Sequence, residues 1–210
     1  QLPSLSTAQV RALTTDQLSK LTTTQIVGLS TAQVAALSTG QVAALTSVQI
    51  NALASDDLKA LTTTQVRALT SDQLSKLSSD QIALMATDGI AALGTGQISH
   101  LSTSAIAALT TAQAKALTTA SINALTSAQV TAIETADLAA MSTAQLSKLG
   151  TAQVAQLTSV QVAALTSGQV KSLNSDQVAA LTSAQLNALT SSQLPSLSTA
   201  QVRALTTDQL

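Results

Sequence analysis

Leu29-Ser30-Thr31-Ala32-Gln33-Val34-Ala35-Ala36 is followed at once by Leu37-Ser38-Thr39-Gly40-Gln41-Val42-Ala43-Ala44, and variants of this phrase fill the chain. Counted from its leucine, the octad reads Leu, Ser/Thr, x, x, Gln, Val/Ile/Leu, x, Ala. A large apolar residue returns at every eighth position from Leu5 to Leu205, and only Met85, Ile133 and Met141 replace leucine in that column. Of the 25 complete octads between Leu5 and Ala204, 19 carry Ser or Thr at position 2 and 20 carry Gln at position 5. Position 6 is Val, Ile or Leu in all but one, where Ala114 stands. A period held over a whole chain marks a repeat architecture.

The phrase is a helix-start signal. Ser or Thr followed three residues later by Gln is a capping box: the hydroxyl accepts from the backbone N–H of the third helical residue, and the Gln reaches back to the cap's own N–H. Leu before the cap and Val or Ile at the fourth helical residue form a hydrophobic staple. The charges agree. All nine basic residues (Arg11, Lys20, Lys59, Arg67, Lys76, Lys115, Lys148, Lys171, Arg203) occupy position 7 or 8. Nine of the ten acids, among them Asp16, Asp72, Asp80, Asp137 and Asp176, occupy position 4 or 5, and Glu134 takes a cap position. Acid in the first turn and base in the last is what the helix dipole favours.

One continuous helix does not fit. Eight residues advance about 800°, so the apolar stripe would slip about 80° per repeat and never form one buried face. Strands do not fit either, since Gln and Ala are poor strand residues and no turn residue recurs in phase. A single octad cannot fold alone: ordering eight residues costs about 12 kcal/mol, and its Leu, Val and Ala return about 4–6 kcal/mol when buried. Stability must come from stacking. The pattern predicts an all-α solenoid of very short helices, one capped helix per octad, stacked into a superhelical rod. Leu, Val/Ile and Ala are expected inside; Ser, Thr, Gln and the charges are expected outside. Two or three octads per coil both suit the longer period described next, and this reading leans to two.

Residues 1–18, QLPSLSTAQVRALTTDQL, recur verbatim as residues 193–210, an offset of 192 residues or 24 octads. The expectation is one continuous array over residues 1–210, about 26 octads, cut from a longer tandem protein because it begins and ends inside an octad at Gln1 and Leu210. With no Phe, Tyr, Trp or Cys, the chain lacks an ordinary enzyme core, a base-stacking platform, a disulfide framework and thiolate metal ligands. A net charge of −1 with 9% charged residues gives no footprint for nucleic acid. No apolar run approaches the ~18 residues of a membrane span.

Few residues stand out. His100 is the single histidine for the whole chain, so the many serines offer no nucleophile–base arrangement and no metal set forms around it; a solvent-exposed role is expected. Asp56-Asp57 is the sole acidic pair, read as dipole complementarity rather than a calcium site. The stretch from Met85 to Met141, with Gly89, Gly94, Gly96, Ala105, Ala114, Ser121, Ile133 and Glu134, is the most degenerate; drift in a tolerant array is favoured over a hinge or docking segment. Pro3 and Pro195 hold position 7 and should bend or shorten their turns. The expectation is therefore no catalytic, cofactor-binding or metal residue and no cofactor.

Leu61-Thr62-Thr63-Thr64-Gln65-Val66-Arg67-Ala68-Leu69 resembles the first helix of TAL-effector DNA-binding repeats. The second helix, the base-reading dipeptide and the basic charge are absent, so the likeness is one of capping chemistry. Taken whole, the array resembles the Leu/Thr/Gln/Val/Ala octapeptide tracts of very large bacterial surface or secreted proteins of adhesin-like type. That resemblance implies an extracellular or cell-surface setting and a stalk, fibre or filament role. The expected partner is self, by lateral or end-to-end assembly, with no nucleic acid, membrane insertion or small-molecule substrate. The alternative is a Ser/Thr-rich face for ice, glycan or surface adhesion, suggested by pairs such as Thr14-Thr15, Thr62-Thr63, Thr110-Thr111 and Thr118-Thr119.

Overall fold

The computed structural model describes residues 2–209; Gln1 and Leu210, where the chain starts and stops inside an octad, lie outside the described residues. Among the described residues there are 24 α-helices, three short 3-10 turns and no strand. Each helix is four to six residues long and begins at octad position 3, as in Thr31–Ala36, Thr39–Ala44 and Thr63–Ala68. The cap residue has extended backbone, for example φ −70° and ψ 160° at Ser38. Its side-chain oxygen accepts from the Gln N–H three residues on (3.2 Å), while the Gln Oε1 accepts from the cap's N–H (2.8 Å). The following leucine leaves the helix with extended backbone as well, φ −60° and ψ 139° at Leu45. Two extended residues therefore turn the chain between most helices, with no glycine at positive φ.

Thr62→Ala should cost about 1 kcal/mol, because it removes the hydroxyl acceptor but leaves the Gln65 half of the box. Thr62→Gly should cost less, since Gly94 and Gly150 already cap two helices without a hydroxyl. Urea denaturation followed by circular dichroism measures both.

The chain forms two compact units, residues 1–108 and residues 109–210. In the first, Thr7–Ala12 packs on Thr31–Ala36, which packs on Ser55–Ala60, then Ser79–Leu84, then Thr103–Ala107. In the second, Thr111–Ala116, Thr135–Ala140, Ser159–Ala164 and Ser183–Asn187 form the same kind of column. Packed helices are always three octads apart, so a coil holds 24 residues, and the lean towards two octads per coil is corrected. Each unit is thus a solenoid of three-sided coils.

The interior is filled by two aliphatic side chains per octad. Leucines of position 1 and Val, Ile or Leu of position 6 are buried through the stacked coils, and Met85, Ile133 and Met141 serve as leucine does. Position 8 alanines are mostly half-buried. Position 4 is exposed in every octad, which explains why Ala, Thr, Asp, Gly, Val and Ser all occur there. Pro195 cannot give the N–H that an α-turn needs at position 7; its turn tightens to the 3-10 segment Leu194–Ser196, closed by Ser196 N–H to Gln193 O at 2.9 Å. The Pro3 segment, Leu2–Ser4, does the same.

Candidate functional site

The glutamines, expected outside, are inside. Gln65 is 2% exposed. Its Oε1 accepts from Thr62 N–H at 2.8 Å, completing the capping box. Its Nε2 donates downwards to the carbonyls of Val34 (2.9 Å), Ala35 (3.3 Å) and Leu37 (2.9 Å). The partners fix the orientation of the amide, because a carbonyl can only accept and a backbone N–H can only donate. One NH2 group serves three acceptors, so at least one of its hydrogens is shared. Those acceptors lie at the C-terminal end of Thr31–Ala36, where helix carbonyls lack intrahelical partners. A single Gln side chain therefore closes the N-terminus of its own helix and the C-terminus of a helix in the coil beneath.

The contact repeats in both units. Gln41 reaches Val10, Arg11 and Leu13; Gln73 reaches Val42, Ala43 and Leu45; Gln97 reaches Val66, Arg67 and Leu69. In the second unit Gln161 reaches Val130, Thr131 and Ile133, and Gln169 reaches Leu138, Ala139 and Met141, all between 2.8 and 3.2 Å. The offsets of 31, 30 and 28 residues are constant. The sequence held a signal for this second role. A capping box accepts Glu or Gln, yet position 5 has 20 Gln and no Glu. Only the amide can donate.

Two acids take the place of Gln, and the structure separates the acidic pair read from the sequence. Asp56 is exposed and sits 3.8 Å from Lys59. Asp57 is 3% exposed and accepts from Thr31 Oγ1 at 2.9 Å. Asp137 repeats the arrangement in the second unit, 4% exposed, with Thr111 Oγ1 at 2.7 Å. Both helices lack a side-chain cap bond, at Ala54 and Glu134, so neither Asp takes part in a capping box. Thr31→Val removes the hydroxyl donor to a buried carboxylate and should cost about 2–3 kcal/mol. In an Asp57→Asn background the same change should cost less than half as much, and a double-mutant cycle by urea denaturation reads the difference.

The other residues singled out form no reaction centre. His100 is exposed, and its Nδ1 lies 2.6 Å from Gly96 O, so Nδ1 carries the proton and donates. It cannot accept from Ser99 Oγ, 3.4 Å away, through that atom. Among the described residues no three acids or histidines gather as a metal set. No helix of the described residues is long and apolar enough to cross a membrane. The Met85–Met141 stretch keeps the octad helices, with Gly89, Ala105 and Ala114 buried. The two Ser/Thr rows are engaged unequally, and position 3 residues such as Thr15, Thr63 and Thr119 are exposed. Position 2 hydroxyls cap helices, and Thr62, Thr110 and Ser142 also donate to their own Gln Oε1. At position 3, Ser159, Ser167 and Ser183 donate to backbone carbonyls of the coil above.

The octad, the cap and the 24-residue coil are what a comparison with known proteins must match. The model of the ALTTAQ repeat matches residues 1–31, 18–47, 25–55, 50–87, 83–119, 130–167, 163–191 and 183–210, which together take in most of the chain. The chain belongs to the ALTTAQ repeat family. No curated protein matches it. The ALTTAQ phrase itself stands at residues 108–113 and carries the leucine, the cap pair and the Gln of one octad. Each matched ALTTAQ segment is longer than one coil, so it includes residues that stack on one another.

Proposed function

We propose that this ALTTAQ repeat chain is a length of extracellular stalk or filament on a bacterial surface, structural rather than catalytic, that assembles with copies of itself. The observation that carries this reading is the Gln amide contact. Within each unit the Gln amides of one coil complete helix ends of the coil beneath, so an array lengthens by adding coils without building a new core. The resemblance to octapeptide tracts of adhesin-like surface proteins supports the location. The alternative of a hydroxyl face for ice or glycan draws on position 3 alone, where Thr15, Thr63 and Thr119 are exposed, because the position 2 hydroxyls are turned to helix capping.

Electron microscopy of an array of several 192-residue units tests the shape. A rod of constant width, with length proportional to octad number, is expected; compact globules overturn the proposal. Antibody labelling of intact cells that produce the parent protein tests the location, and signal only after permeabilisation overturns it.

A further inference from the structure

The Gln amides are spread unevenly along the chain. From Gln145 to Gln209 every octad has its Gln, and each donates to the position 1 carbonyl 28 residues back, as Gln145 does to Leu117 (2.7 Å) and Gln177 to Leu149 (2.7 Å). Between Met85 and Met141 every second octad lacks it: Gly89, Ala105, Ser121 and Asp137 stand there, with Gln97, Gln113 and Gln129 between them. The constant 31-, 30- and 28-residue offsets put the carbonyls of Leu58, Lys59 and Leu61 beneath Gly89, and those of Leu74, Ser75 and Leu77 beneath Ala105. Neither side chain has a donor to give them. Ser121 has one hydroxyl hydrogen where Gln has two amide hydrogens, and the Asp137 carboxylate accepts from Thr111. Other supports thin out over the same residues. The helices that follow Ala86, Gly94 and Glu134 have no side-chain cap bond. Among the α-helices from Thr143–Leu146 to Thr199–Arg203, only the one after Gly150 lacks it. Ala114, buried, takes a place that Val, Ile or Leu fills in every other complete octad.

We infer that residues 85–141 are the yielding segment of the array: under tension its octads open first, while those from 141 onward stay closed. The inference rests on the stalk reading above and adds what a stalk under load needs, a stretch that lengthens before the rest gives way. Drift accounts for the four substitutions one at a time but not for their alternation. No two successive octads between 85 and 141 both carry Gln, whereas nine in a row do from Gln145. An octad that opens there breaks fewer bonds to the coil beneath, and its neighbour in the chain is left to hold alone. Local opening follows such differences in buried contacts and backbone hydrogen bonds. The gain in length is large. A coil advances the stack by about 8–10 Å, the spacing of packed helices, and its 24 residues drawn out span at most about 80 Å.

Hydrogen exchange read by mass spectrometry on the 1–210 chain tests the segment. In a uniform stack the middle octads, supported from both directions, exchange slowest, and protection falls towards the ends. Residues 85–141 are the middle of this chain, so uniform octads would make them the most protected. The inference requires the reverse. Amides of 87–140 should exchange at least about tenfold faster than those of 151–187, a difference of about 1.4 kcal/mol in opening. Restoring Gln at position 89 is not the variant of choice, because a Cβ there would lie 3.3 Å from Val66 Cγ2. Gln161→Ala with Gln177→Ala instead gives the well-tied stretch alternate gaps, and exchange there should rise at least about tenfold. Circular dichroism verifies that the helices persist, and the wild-type ordering decides by itself should the variant not fold. Slowest exchange in the middle, equal exchange in the two stretches, or a folded variant with unchanged exchange would each overturn the segment. Rods of constant width with uniform exchange remove the yielding segment and leave the stalk; globular arrays remove the stalk.

Discussion

Gln65→Glu should destabilise the first unit by about 3–5 kcal/mol, far more than its near-isosteric shape suggests. The carboxylate can still accept from Thr62 N–H, so the capping box survives. It cannot donate, and it brings a negative charge against the carbonyls of Val34, Ala35 and Leu37, at the negative end of a helix dipole. Gln65 is buried, so water does not relieve this; an uncompensated buried charge costs about 3–5 kcal/mol. Gln65→Leu removes the donor and the acceptor of Thr62 N–H without adding charge, and should fall below Glu in cost, at about 2–3 kcal/mol for the polar groups that lose their partner. Urea denaturation of wild type and both variants gives the ordering. A Glu variant as stable as wild type would show that the coils do not communicate through this amide.

Deletion of residues 61–64 should cost at least about 5 kcal/mol, whereas deletion of the whole octad 61–68 should cost about 1–2 kcal/mol. The half-octad deletion removes Leu61, the Thr62 cap and half the repeat, so every helix following in the first unit is set out of phase with the coil beneath. A buried Leu alone is worth about 2–5 kcal/mol, and the mismatched Gln contacts add to it. The whole-octad deletion moves each later helix to the next side of the coil. There Gln73 meets the carbonyls of Val34, Ala35 and Leu37 in place of Val42, Ala43 and Leu45, which are chemically the same. What is lost is one repeat's own contribution to a nearest-neighbour stack. Equal losses from the two deletions would show that octads are not interchangeable.

The octad was legible because each of its local devices is complete within eight residues. Ser38 with Gln41, the leucine before the cap and the valine after it contain everything a short helix needs, and the structure uses them so. The coil was not legible. Its size depends on which octad lies beneath which, and octads so alike carry no alternation to mark the partner. The burial of Gln was missed for a related reason. A capping box accounts for Oε1 and is silent on Nε2, whose acceptors lie 28 to 31 residues away. The preference for Gln over Glu at position 5 was the available clue. Asp56 and Asp57 read as a pair because they are adjacent, yet successive residues of a helix point about 100° apart, and one faces water while the other faces Thr31.

Only two to four residues separate most helices, and the hydroxyls and amides that close the helix ends also tie down those connections. Proteolytic nicking concentrates at exposed, mobile loop tips, and here there is scarcely a loop to enter. Lysine and arginine sit at helix ends, next to such connections, and the absence of Phe, Tyr and Trp withholds another class of cleavage point. A digestive enzyme must first peel a coil from its neighbours, so durability against hydrolysis comes with the architecture.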